Sequence, residues 1–208
     1  MSLFLGKIHY WLYNKIKWAE KMEDEIVVWA KNAELPVDKW LDEAISKYGE
    51  ATGDEPLEDV IDTGNIHGWL QERIKSAELR QAHLVTRLVE DKPESKEDII
   101  KLFENQGRQA AAAYEEEVNV PEDAFKALND FIIEGMPCDR VNKVISSDDD
   151  KYSWETTACL HKQYWDTVGG DITIFYQLRD SWVKAFIEAL EPGFKYSKTD
   201  GNIHEIVK

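Results

Sequence analysis

The chain has 208 residues, 43% of them hydrophobic, and a formal net charge of −16. That length buries a core without staples, and the two cysteines, Cys138 and Cys159, exclude a disulfide scaffold as the architecture. The acidic balance argues against nucleic acid and against anionic membrane surfaces, both of which need clustered Lys and Arg. Residues Met1 to Ile8 lack a basic region followed by a sustained apolar run. No stretch of roughly eighteen apolar residues occurs either. A cytoplasmic protein with reduced thiols is expected.

Residues 3–33 read as a long helix, with Ile8, Leu12, Ile16 and Ala19 recurring at helical spacing and Ile26, Val27 and Ala30 continuing the stripe. After Pro36 a shorter helix runs from Val37 to about Tyr48, with Trp40, Leu41 and Ile45 inward. Residues 49–62 form a turn-rich connector. A second long helix spans 65–90 and stops before Pro93. Ser95 is expected to cap a helix reaching about Val118, with Asp98 three residues on. Within it, Ala110 to Ala113 suit a close helix approach. Pro121 opens another helix that ends near Gly135.

The pattern changes after Cys138. Residues 141–147 and 152–158 read as two strands around the turn Asp148-Asp149-Asp150, an antiparallel hairpin. Residues 159–168 read as a helix broken by Gly169-Gly170. Residues 172–190 are helical throughout or begin as a strand. Short strands follow at 194–197 and 203–207, with a turn at Thr199-Asp200-Gly201-Asn202. The expected class is α+β, mostly α: a helical portion over 1–137 and an α+β portion over 138–208, packed as one domain.

Residues 6–20 are echoed by residues 64–78, with nine of fifteen positions identical. In each copy the histidine, His9 or His67, shares a helix face with an isoleucine seven residues on. Glu20 and Glu78 stand eleven residues beyond, roughly 16 Å along the axis, too far to share a metal with the histidine of their own copy. If the two long helices run parallel, His9 and His67 come to one end, where Glu115, Glu116 or Glu117 would join them from an antiparallel third helix. Two imidazoles and a carboxylate suit zinc or iron. The alternative is a pair of packed, hydrogen-bonded histidines.

The last quarter gathers reactive residue types. Cys159 ends the second strand and opens a short helix, where a helix dipole favours thiolate. His161 is two residues away, His204 lies on the final strand, and Asp180 follows Arg179. A nucleophile, a base and an orienting carboxylate are thus available. So is a plain reading: a small buried cysteine with surface His and Asp.

The order of Trp154 to Cys159, Tyr164, Gly169-Gly170, Arg179-Asp180, the run Pro192 to Thr199, Gly201 and His204 resembles the L-2-amino-thiazoline-4-carboxylic acid hydrolase-like family, over roughly residues 151–205. The resemblance implies hydrolysis of a C–N bond in a small sulfur- and nitrogen-containing ring, with cysteine prominent. Members carry further cysteines where this chain has Gln177 and Glu205. Two functions are therefore expected as alternatives. One is a hydrolase with Cys159 as nucleophile, His204 or His161 as base and Asp180 as orienter. The other is a non-catalytic sensor or carrier that binds a small molecule or metal.

Overall fold

The computed structural model describes residues 5–199 and 202–208. The elements are α1 (Lys7–Asn32), α2 (Val37–Tyr48), α3 (Leu57–Val60), α4 (Ile66–Asp91), α5 (Ser95–Ala113) and α6 (Pro121–Asn129), then β1 (Asn142–Ser147), β2 (Lys151–Thr156), α7 (Lys162–Val168), α8 (Ile172–Leu190), β3 (Lys195–Thr199) and β4 (Ile203–Val207). The protein is α+β and mostly helical, with an antiparallel sheet in the order β1-β2-β4-β3. No described helix is long and apolar enough to cross a membrane. The expected helix start at residue 3, and Asp200-Gly201 of the expected turn, lie outside the described residues.

Two compact units form: residues up to Lys96 with His161–Ile172, and Glu97–Leu160 with Thr173–Lys208. The boundary anticipated at 137/138 falls inside the second unit. Its reason is packing: α6 lies on β2 and β4, whereas α7, from the α+β stretch, lies on α4.

In the first unit, α1 and α4 run parallel, because His9 meets His67 at one end while Glu20 and Glu23 meet Arg80 further along. The repeated segments therefore stand side by side at their sequence offset. Leu12 and Ile16 of one copy, and Leu70 and Ile74 of the other, are buried. Each copy also seats a cation on its own tryptophan one turn back: Lys15 over Trp11 at 3.3 Å and Arg73 over Trp69 at 5.8 Å. The copies differ at the start, where Ile8 is 45% exposed and Ile66 only 9%. On α2, Val37, Trp40 and Ala44 are buried, while Leu41 and Ile45 are half-buried.

A buried guanidinium ties these helices together. Arg80 is fully buried; its Nε donates to both Glu23 oxygens at 3.0 and 2.9 Å, and its Nη2 donates to Glu20 at 3.2 Å. Nη1 donates to Ser76 at 2.6 Å and to the Gly49 carbonyl at 3.2 Å. Glu20 also accepts from the backbone N–H and hydroxyl of Thr52. Such a network is stable only because every member is matched. Burial still raises the pKa of Glu23 above the usual carboxylate range, with Arg80 opposing.

Ser95 is the first residue of α5 rather than its cap: its hydroxyl donates to the Leu88 carbonyl at 3.1 Å, holding the end of α4. The helix ends at Ala113, five residues before the expected Val118. α7 stops at Gly169, whose φ of 74° is the left-handed position a helix C-terminus favours. Gly170 then has no space for a side chain, since a Cβ there would lie 2.3 Å from Thr86 Oγ1 on α4.

In the second unit, α8 is helical throughout. A close helix approach occurs at Gly107, three residues before the alanines. A Cβ at Gly107 would lie 2.5 Å from the Trp182 carbonyl on α8. Ala110 and Ala111 are buried nearby on α5, and Ala112 and Ala113 are exposed. Trp182 donates from its indole to Gln106 at 3.0 Å and stacks on Phe186. On the sheet, Phe125 of α6 packs on Tyr152 and Trp154 with centroids 4.6 and 4.7 Å away.

Candidate functional site

The tail folds back as β4 between β2 and β3. This register sets His204 opposite Trp154, and their rings stack 5.0 Å apart and 9° from parallel. Both imidazole nitrogens are engaged. Tyr196 Oη lies 2.7 Å from Nδ1, and Thr156 Oγ1 lies 3.2 Å from Nε2. Because the Thr156 hydroxyl donates to Asn142 Oδ1 at 3.0 Å, it accepts from Nε2–H. His204 is then the neutral Nε2–H tautomer, with Nδ1 accepting from Tyr196. Burial first, and then Lys198 and Arg179, lower its pKa to about 4, in agreement with that tautomer.

Around this stack lies a cleft. Its apolar walls are Phe125, Leu128, Ile132 and Val183; Trp154, Tyr196 and His204 supply rings; Asn142, Thr156, Glu134 and Arg179 are polar. The free space is about 30 Å³, room for roughly two waters. Arg179 donates from Nη2 to the Ile133 carbonyl at 2.8 Å and sits 3.6 Å from Glu134 Oε1. That second distance exceeds the roughly 2.7–2.9 Å of a charge-assisted hydrogen bond. The ion pair is slack.

Asp180 faces Lys198 at 3.3 Å and Tyr196 Oη at 3.4 Å. Burial raises its pKa, with Lys198 and Tyr196 acting against the rise. Burial and Asp180 also push the Tyr196 phenol up. Cys159 is exposed and hydrogen-bonded with Tyr176, whose pKa rises to about 12 through burial and that contact. Lys198 Nζ stands 5.0 Å over the Tyr176 ring. A line of contacts thus runs from Cys159 through Tyr176, Lys198, Asp180 and Tyr196 to His204.

Three of the four residues singled out for catalysis share the second unit. His161 belongs to the first, where Nδ1 meets Glu78 at 2.9 Å and both groups are buried. Cys159 does not open a helix: α7 starts at Lys162. Thr157 gives both its N–H and its hydroxyl to the Val141 carbonyl, at 2.8 and 2.9 Å, and this keeps the chain extended after β2. No helix dipole therefore acts on the thiol. Tyr176, Tyr196, Thr156 and Arg179 were not anticipated as partners. The alternation on β3 and β4, which puts Tyr196 on the face of Ile206 and Trp154 on that of His204, signals Tyr196 alone.

His9 and His67 do come together, Nε2 to Nε2 at 3.4 Å. Two ligands of a tetrahedral zinc with bonds of about 2.0–2.1 Å are about that far apart. The donors fit less well. Gly6 N–H donates to His9 Nδ1 at 2.9 Å, so the proton of a neutral His9 sits on Nε2, between the rings. The arrangement is a hydrogen-bonded imidazole pair that caps α1. Among the described residues no group of three or more His, Cys, Asp or Glu is placed to hold a metal. Glu115, Glu116 and Glu117 lie beyond the end of α5 and belong to the other unit.

No family model, curated protein or solved structure matches the chain significantly. The site is therefore read from its own chemistry.

Proposed function

We propose that the protein binds a small planar molecule bearing a carboxylate, in the cleft of the second unit, as a sensor or carrier. The observation that carries this reading is the slack pair of Arg179 and Glu134 beside an aromatic bed. A guanidinium held on one side by the Ile133 carbonyl keeps its other edge for a carboxylate. Glu134 occupies that edge in the free protein, and the cleft has little room while it does. A ligand carboxylate replaces Glu134, and the ligand's ring lies against Trp154 and His204. Neutral His204, with both nitrogens used, acts as a fixed wall and not as a base. Benzoate is a suitable probe, followed by amide shifts. Binding should shift resonances around Trp154 and Arg179, and Arg179→Met should weaken it by at least about tenfold. Shifts confined to residues away from the cleft would overturn the proposal.

A second reading keeps the hydrolase of a small sulfur- and nitrogen-containing compound, with Cys159 as nucleophile. It is favoured by the exposure of Cys159 and by the Tyr176 hydroxyl beside it. The order of residues 151–205 that resembles the thiazoline hydrolases points the same way. On this reading, stoichiometric alkylation of Cys159 abolishes turnover of a thiazoline carboxylate; a substrate left untouched by the unmodified protein excludes it.

A further inference from the structure

The segment between the cleft residues Glu134 and Asn142 carries one cysteine, and the segment it faces carries the other. Both thiols are exposed. The two segments are fastened at each end. At one end, the Val141 carbonyl accepts twice from Thr157. At the other, Gly135 lies so close to Leu160 that an added Cβ would be 2.3 Å from its Cδ1. Cys138 sits between the first pair of anchor positions, 135 and 141, and Cys159 between the second, 157 and 160. Cys138 rides on a turn closed by the Asp139 N–H to the Met136 carbonyl at 2.9 Å. Arg140, with φ of 48°, rejoins that turn to β1 in a left-handed conformation that a non-glycine residue seldom adopts. The turn carrying Cys138 thus lies between the two places where the segments meet.

We propose that Cys138 and Cys159 form a reversible disulfide that closes the cleft. The inference rests on the ligand-binding reading above, since what it closes is the exit of Glu134. In the reaction the Cys159 thiolate, beside the Tyr176 hydroxyl, attacks one sulfur of a low-molecular-weight disulfide such as oxidised glutathione and expels one thiolate. The Cys138 thiolate then attacks the mixed disulfide at the Cys159 sulfur, and the second glutathione leaves. Two protein thiols lose two electrons and two protons, and one glutathione disulfide becomes two thiols. The bridge fixes 135–141 against 157–160, so Glu134, at the root of that segment, stays on Arg179. A carboxylate ligand is then shut out.

The test treats the full chain with oxidised glutathione and maps peptides without reduction. The expected product is an intramolecular Cys138–Cys159 peptide pair lighter by two hydrogens, lost in Cys138→Ser and reversed by reduced thiol. Benzoate should bind the bridged protein at least about tenfold more weakly than the reduced protein. Cys138→Ser should keep the reduced affinity under both conditions. Mixed disulfides alone, or a bridge between two molecules, overturns the switch. A bridge that leaves benzoate affinity unchanged overturns the closure. Failure of benzoate to bind the reduced protein brings down the cleft reading and the closure together, while the peptide map separately decides the bridge.

Discussion

The two units use buried polar groups in opposite ways. In the first, Arg80 is matched on every side by Glu20, Glu23, Ser76 and Gly49, and His161 is matched by Glu78. These charges hold helices together. In the second, Arg179, Glu134, Asn142, Thr156 and His204 converge on one small opening lined with rings. The set around Arg80 is closed on itself, whereas the set around the cleft is left with an open side. Buried polarity therefore marks a site only when its partners leave room for a guest.

The largest effect should come from breaking the closed set. Arg80→Ala strands two carboxylates and should cost about 3–5 kcal/mol in urea unfolding. Replacing Arg80, Glu20 and Glu23 together with apolar residues of similar size should recover most of it. If Arg80→Ala is silent, the first unit is not held by that network.

The next effect is on how stability depends on pH. The folded pKa of His204 is depressed from 6.5 to about 4. Below about pH 6.5 the unfolded chain takes up a proton that folded His204 refuses, so stability falls with pH from there through about 4. The expected loss is about 3 kcal/mol, read as a drop in urea midpoint. His83 of the first unit, buried and lowered by burial, Arg87 and Lys47, acts in the same direction. His204→Phe should flatten the acid limb only in part, since His83 still contributes in the same direction.

Crowding the second unit comes next. Gly107→Ala forces α5 from the Trp182 carbonyl and should destabilise by about 1–3 kcal/mol. The smallest effect is at the imidazole pair: His9→Ala removes the acceptor for Gly6 N–H and should cost about 0.5–1 kcal/mol, as other capping losses do.

Much of this was legible in the residues. The bounds of α2 and β4, the hairpin of β1 and β2, and the meeting of His9 with His67 follow from period, turn residues and the repeat. The rest depends on contacts distant in sequence. Arg80 carries no signal in the sequence, because helical periodicity cannot say that two glutamates of another helix will meet it. Cys159 reads as a helix start because the bond from Thr157 to Val141 crosses sixteen positions of chain. The division into units was hidden for the same reason, since α7 leaves the sheet that precedes it and packs on α4. The site was half visible: Cys159, Asp180 and His204 were picked out by type, but Arg179 was seen only as a neighbour and Glu134 not at all.

The side-by-side standing of residues 6–20 and 64–78 has a consequence for ancestry. Each copy offers the other the same surface that it meets, as two identical chains do across a twofold axis. A short self-pairing helix, duplicated and joined in one gene, would leave this trace. The mismatches then record divergence. Met22 stands 58 positions before Arg80, just past the matching stretch, so the guanidinium that locks the first unit lies outside both copies.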